Sequence, residues 1–275
     1  MIHTYLLLPR LRVQGANAQA TWWLINPTPV MACSMFGHAL GRHIDEPASG
    51  IAIVHHTAQL HGEQFRLFRP EQRRGAVFID KTDYSSKNPH ALSLQPTASF
   101  SGEFSLIVRF DEMAEIELSK VEEFLARARL AGGQIIEYDR PFIEHSETEL
   151  RKRVRAGYWL IDRRDLMQKA DGEDWMDVLL RVTARNREQS PSQETSQTEL
   201  PSSWIVPTTL GYALLTQTAQ RAGAREGYPH AFAEPLVGPV QYVSIRQFGE
   251  RPLPVWQHGW PHDDVFLLSQ PSIEV

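Results

Sequence analysis

A wholly apolar run near the N-terminus, Tyr5-Leu6-Leu7-Leu8, constrains this chain most. Consecutive apolar residues offer no polar face to water, so the run suits a short strand buried on both sides of a sheet. Pro9 removes a ladder donor, and the regular strand is expected to loosen there. Arg10 and Arg12 then flank Leu11 at alternating positions. Small residues follow at 15–18, and Asn26, Pro27 and Pro29 break the chain again. Residues 30–40 have helical spacing, with Met31, Met35 and Ala39 on one side and Phe36 and Leu40 beside them. The opening therefore reads as strand, bent basic edge, loop and helix. Such a unit brings backbone amides, two arginines and a helix N-terminus together, which suits a phosphate chain.

Further along, residues 50–54 read as a second buried strand running on into His55 and His56. An arginine-bearing stretch from Phe65 to Gly75, with strand-like runs at 64–68 and 76–79, is expected to form a protruding hairpin. Residues 91–94 and 104–110 look like two strands joined by Gly102 and Glu103. The clearest helix covers 119–129, and glycines 132 and 133 are placed to cap it. Residues 134–138 form a short strand. The order of strand, helix, strand, strand, helix, strand is that of a ferredoxin-like βαββαβ unit, an α+β fold that leaves one sheet face or its loops free for a ligand. The second half is less regular, with a strand at 157–161, a helix at 175–182 and a polar, flexible segment at 188–203. Residues 204–206 and 211–215 resume strand character, and the proline and glycine density beyond Gly223 suggests turns.

The composition bounds the function. At 275 residues the chain can bury a sizeable core, and a formal net charge of −5 argues against a generally basic nucleic-acid binder while allowing a local basic groove. The single cysteine, Cys33, excludes an internal disulfide and sits in an apolar helix pattern that suits inert packing. No signal peptide and no membrane-length apolar stretch is visible, so a soluble, cytoplasmic protein without membrane contact is expected.

Several residues invite functional readings, each with a plainer counterpart. Arg10 and Arg12 suit phosphates, or are solvated edge charges. Gly132 and Gly133 could lie against a nucleic-acid backbone, or form a helix cap. Arg73 and Arg74 at the hairpin, and the cluster of Arg151, Lys152, Arg153 and Arg155, are stronger binding candidates, though a charge run is usually a solvated face. His258 and His262 have the spacing of a helical zinc pair, but Gly259 and Pro261 oppose a helix there, and neither metal nor other cofactor is expected. No Gly-x-Ser-x-Gly, phosphate loop or dinucleotide fingerprint occurs, and nothing assembles a nucleophile with a base.

Separated motifs coincide, in order, with one family. Leu6-Leu7-Leu8-Pro9-Arg10-Leu11 followed by Gln14-Gly15-Ala16-Asn17-Ala18, then Phe36-Gly37-His38-Ala39-Leu40, are the first of them. The Arg129-to-Ile135 segment, Gly157-Tyr158-Trp159-Leu160-Ile161 with Arg163-Arg164-Asp165-Leu166, and Trp204-Ile205-Val206-Pro207 with Gly211-Tyr212 complete the set. Together they resemble the Cas-five-like subunit of type I-F CRISPR surveillance complexes, the second of the Csy proteins. The resemblance implies a ferredoxin-like, RNA-recognition-motif-like (RAMP-type) core with a thumb-like hairpin insertion near 60–90. That core would span residues 1–145, with a helical insertion and an irregular β-rich C-terminal part packing on it from 146 to 275. It implies a non-catalytic antiviral-defence protein that caps the 5′ handle of the CRISPR RNA. Its partners would be the backbone (Cas-seven-like) subunits and either a large (Cas-eight-like) subunit or target-adjacent double-stranded DNA. Carried over by position, Arg10, Arg12, Asn17, Phe36, His38, Arg42, Gly132 and Gly133 become candidates for the handle-binding surface. Two rivals remain: a guide-processing ribonuclease of the same fold, with His38 or His55 as acid or base, and a protein–protein adaptor without RNA contact. Trp22, Trp23 and Phe65 are suspects for apolar surface that partners would cover.

Overall fold

Along the first strand, Leu6 and Leu8 are buried against one face of the sheet while Tyr5 and Leu7 are buried against the other. The apolar run is therefore an interior strand, as its composition demands. The computed structural model describes residues 3–64, 66, 68–74, 96–111, 113–184, 204–222, 224 and 227–271.

In chain order the first elements are β1 (His3–Asn17), β2 (Gln19–Thr21), β3 (Leu24–Ile25), α1 (Val30–His43) and β4 (Ala48–Leu60). Next come β5 (Gly62–Gln64), β6 (Phe68–Pro70), β7 (Gln72–Arg74), β8 (Pro96–Asp111), α2 (Leu118–Arg127), β9 (Arg129–Leu130) and β10 (Gly133–Glu137). They are followed by β11 (Phe142–Glu144), α3 (Glu147–Arg153), β12 (Tyr158–Asp162) and α4 (Trp175–Ala184). The last are β13 (Ile205–Leu214), β14 (Ala233–Ser244), α5 (Ile245–Phe248), β15 (Gln257–His262) and β16 (Val265–Ser269).

The fold is α+β, built on a mostly antiparallel, curled sheet. Its strand order is β15-β16-β13-β14-β12-β4-β8-β1-β10-β9, so the sheet runs without a break through both halves of the chain. Within it β4, β8, β1 and β10 are each antiparallel to the next. α1 and α2 cover one face, where Phe36, Leu40, Val121 and Leu125 pack on Leu6, Leu8, Leu11 and Val13. On the opposite face Leu150 and Val154 at α3, Phe248 of α5, Leu253 and Val255 cover Tyr5, Leu7, Ala52, Val54 and Ile107.

Bulges decide which residues face where. On β1, Leu6 and Leu8 face the helices, so strict alternation would carry Arg10 and Arg12 into the same core. The register with β8 instead shifts between Leu8 and Leu11, with Arg10 at φ 54°, and Leu11 and Val13 rejoin the helix-side core. One extra residue flips the parity and turns Arg10, Arg12 and Gln14 to the other face. Pro9 is suited to the place because it has no N–H to lose, and its carbonyl accepts from the Asp139 amide. A second shift between Val13 and Ala16, with Gly15 at φ 68°, returns Ala16 to the core. β4 shifts likewise between His55 and Thr57. β1 thus loosens at Pro9 as expected, yet continues as a strand to Asn17 where a loop was expected.

Other expectations are corrected by the fold. The buried stripe of α1 runs through Val30, Cys33, Phe36, Gly37 and Leu40, leaving Met31 and Met35 at its border and Ala39 exposed. The long helix ends at Arg127, and the glycines do not cap it. Ala131 (φ 49°) and Gly132 (φ 76°) instead make the tight turn between β9 and β10, two positive φ angles of the kind two-residue hairpins need. Gly102 and Glu103 lie inside β8 rather than between strands, where a Cβ on Gly102 would stand 3.1 Å from the rings of both Phe100 and Phe104. Residues 204–206 and 211–215 merge into the single bulged strand β13. The proline-rich tail forms β14, β15 and β16 rather than turns. Pro235 and Pro239 fit in β14 because β12 pairs only with its Val240-to-Ser244 end. Near residue 64 the chain turns back, pairing β5 with β6. The expected strands at 76–79 and 91–94, Phe65, and the polar segment 188–203 lie outside the described residues. Trp22 and Trp23 are exposed as expected, at the β2–β3 tip. No helix among the described residues is long and apolar enough to cross a membrane.

Candidate nucleic-acid interface

Beyond the part covered by α3 and α5, the face away from α1 and α2 opens into a groove of about 690 Å³. β1 contributes Arg10, Arg12 and Gln14, β4 contributes Thr57 and Gln59, and β8 contributes Ser101 and Glu103. Ile136, Glu137 and Asp139 close it at β10. Each group is the outward half of a strand whose inward half is core, so the groove is the uncovered part of the sheet itself.

Both arginines are held by carboxylates. Arg10 Nη1 donates to Glu103 at 2.5 Å and Arg12 Nη1 donates to Glu137. Among the described residues, the charged lining is two arginines facing three carboxylates (Glu103, Glu137 and Asp139), a local balance of −1. Among the described residues no aromatic side chain lines the groove, and Ile136 is an exposed apolar residue of its lining.

The bulge that aims Arg10 is tied to a hydroxyl. Ser105 lies on β8 between Phe104, whose partners include Leu11 and His55, and Leu106, which pairs with Leu8 and Ile53. It therefore sits opposite the β1 bulge, while on the β4 side it pairs with Val54 and meets that strand's bulge, between His55 and Thr57, through the His56 ring. Its Oγ accepts the Arg10 backbone N–H at 3.0 Å and lies 2.7 Å from His56 Nε2. Burial, and secondarily the Arg10 charge, push the His56 pKa down to about 4, so at neutral pH the ring nitrogen is free to accept the Ser105 hydroxyl. His56 also bonds the Ala156 backbone, which links the network to the loop before β12.

The other sequence candidates are distributed differently. Phe36 is buried edge-on to Phe124 at 5.2 Å, on the helix side. His38 is half-buried beside His258, their rings 5.3 Å apart, and Arg42 is exposed in the last turn of α1. These three share the α1 face and do not meet Arg10 and Arg12. Asn17 closes a turn, its Oδ1 accepting the Gln19 N–H at 3.0 Å. Gly132 faces open space, whereas Gly133 is enclosed: a Cβ there would stand 2.7 Å from Ala16 N and Val13 Cγ1. Arg73 and Arg74 belong to β7, paired with the start of β8.

The 151–155 cluster is largely neutralised. Arg151 pairs with Glu147 at 2.6 Å and donates to the Gly249 carbonyl at 2.9 Å, clamping α3 to the chain after α5. Lys152 pairs with Glu149, and Arg153 with Glu144 while lying over the Phe142 ring. Arg155 is exposed, and its Nε donates to the Lys152 carbonyl. Among the described residues no group of three or more metal-ligating side chains converges, and His258 lies on a strand. His55 is buried edge-on between Phe104 and Tyr242, and burial, with His56 nearby, pushes its pKa down to about 4.

Sequence reading missed most of the groove's lining: Gln14, Thr57, Gln59, Ser101, Glu103, Ile136, Glu137 and Asp139. A signal existed in the alternation Thr57-Ala58-Gln59-Leu60 and Ser101-Gly102-Glu103-Phe104, one polar face on adjoining strands.

A family model for the CRISPR-associated protein Csy2 matches residues 6–266. The chain belongs to the Csy2 family. The CRISPR-associated protein Csy2 of Pseudomonas aeruginosa (strain UCBPP-PA14) is 25% identical over 319 residues, covering 97% of this chain and 95% of that relative. The match runs from Leu6 on β1 to Phe266 on β16 and so spans the whole of the ordered motif set, and the resemblance carried by those motifs is a family relationship. The 319-residue span also exceeds the 275 residues of this chain, so the Csy2 relative carries insertions that it lacks.

Proposed function

We propose that this Csy2-family protein is a non-catalytic subunit of a type I-F CRISPR surveillance complex that caps the 5′ handle of the CRISPR RNA. The observation that carries the reading is the groove, where the bulge in the family's opening motif turns Arg10 and Arg12 onto an uncovered sheet face. The order β4-β8-β1-β10, with α1 after the first strand and α2 after the third, supports a ferredoxin-like core within residues 1–145. RNA bent into a hook is held by phosphate contacts and by hydrogen bonds to base edges. Arg10 and Arg12 suit the first, and Gln14, Thr57, Gln59 and Ser101 suit the second. The subunit then bridges the backbone subunits to a large subunit or to target-adjacent duplex, with Arg155 the most available cation of the second half's cluster. Phe36 acts as core packing beneath this surface.

The ribonuclease alternative draws no support from His55, which is buried away from substrate and whose depressed pKa leaves it uncharged at neutral pH, without the imidazolium proton a general acid gives. The reading is tested by purifying the tagged chain from its native host and sequencing the RNA that accompanies it. Uniform guide-length RNAs sharing one 5′ handle are expected. For the purified protein, Arg10→Ala and Arg12→Ala should each flatten the log–log salt dependence of handle binding by about 0.7, the value of one lost single-strand phosphate contact. Recovery of the protein without RNA, or salt slopes that do not change, would overturn it.

A further inference from the structure

We infer that Glu103 and Glu137 are specificity-determining residues, standing in for phosphate in the groove so that Arg10 and Arg12 are withheld from RNA that lacks the handle. The inference rests on the proposal that this groove receives the handle. Among the described residues two cations line the groove, and each is engaged by its own carboxylate. The pairing spans strands: Arg10 on β1 reaches Glu103 on β8, and Arg12 on β1 reaches Glu137 on β10. Both β1 arginines are thus held toward the strands on either side of β1, one on each.

The pairs are accessible. The two arginine side chains are 46% and 54% exposed and Glu137 is 62% exposed, so little free energy holds the Arg12–Glu137 pair against a competing anion, while Glu103, 21% exposed, holds Arg10 more firmly but leaves the guanidinium open to the groove. Two oxygens of a phosphate can accept paired N–H bonds from a guanidinium, as the two oxygens of a carboxylate do. A phosphate delivered by other contacts can therefore displace a carboxylate, whereas a passing RNA meets a groove whose described charged residues sum to −1. The net charge of −5 adds a weak general repulsion of unpositioned RNA. Asp139 serves as an internal control, since it lines the same groove and its backbone N–H bonds the Pro9 carbonyl.

The test compares the full-length chain with Glu103→Gln, Glu137→Gln and Asp139→Asn, measuring binding of an unstructured uridine oligonucleotide and of handle RNA over a salt series. Each glutamine variant is expected to bind the uridine oligonucleotide up to roughly five-fold more tightly, with a salt slope steeper by about 0.7 per freed arginine. The gain should vanish when Glu137→Gln is combined with Arg12→Ala, and Glu103→Gln with Arg10→Ala. Handle RNA should gain less than the uridine oligonucleotide, so discrimination falls. The inference is overturned if the glutamine variants leave uridine binding unchanged, or if Asp139→Asn produces the same gain and slope. Loss of handle discrimination in Glu137→Gln with Arg12→Ala inert toward handle RNA would instead remove the groove as the handle site.

Discussion

Replacing Ser105 by alanine tests how the groove is held in shape. The hydroxyl is the common partner of two bulges, accepting the Arg10 N–H at 3.0 Å and contacting His56 Nε2 at 2.7 Å. Its removal leaves a backbone donor and a ring nitrogen without their partner, a loss of about 1–3 kcal/mol for groups of this kind. Ser105 itself is buried, so water is poorly placed to substitute at the hydroxyl's position. Arg10 at φ 54° adds to the cost, because a left-handed non-glycine residue persists only while its surroundings hold it. For a chain of this size each kcal/mol lowers the melting temperature by about 2–4 °C, so Ser105→Ala should melt roughly 2–12 °C below wild type. The decisive measurement is a double-mutant cycle with His56→Leu. The two changes break the same network, so the double variant should lose clearly less than the sum of the singles. His56→Gln, which retains an acceptor near the Nε2 position, should recover part of the loss. A Ser105→Ala protein melting within about 1 °C of wild type, or strict additivity with His56→Leu, would refute the idea that one hydroxyl locks both bulges.

Two further outcomes follow from the core. The His55 pKa is pushed from 6.5 to about 4, so as pH falls the unfolded chain takes up this proton first, and stability is lost between pH 6.5 and about 4. A shift of that size corresponds to about 3 kcal/mol. His55→Phe, placing a ring among Phe104 and Tyr242 without the unpaired Nε2, should flatten the melting-temperature profile over that window, and profiles parallel to wild type would count against it. Gly133→Ala should cost more than Gly132→Ala: the first forces a Cβ within 2.7 Å of the β1 backbone, whereas the second meets only the strain of φ 76° in open space. Thermal melts that rank the two the other way would show that β10 does not pack on β1 as described.

Much of the fold was legible from the chain. Tyr5-Leu6-Leu7-Leu8 has no polar face, and the strand is buried on both sides. The uninterrupted spacing of Val121 and Leu125 gave α2 to within two residues of its end. Local periodicity failed where distant strands supplied the reason for a conformation. The prolines of β14 looked like turn residues, yet Pro235 and Pro239 lie beyond the ladder with β12, where a missing N–H costs nothing. The glycine pair looked like a helix cap because nothing local shows that β10 returns against Val13 and Ala16.

The site divides the same way. Sequence by itself determined that a basic edge follows a buried strand at Pro9, and that the ordered motifs belong to one family. It did not determine where Arg10 and Arg12 point. Their side-chain direction depends on strand parity, and parity depends on a bulge stabilised by Ser105 and His56, which lie far away in sequence. It did not reveal that Phe36 faces the core, that Arg151 is bound to Glu147 and to backbone carbonyls, or that each groove arginine already holds a carboxylate. Residue types fix which groups are available, but a charge's partner and a strand's facing are set by which segments the tertiary fold lays side by side.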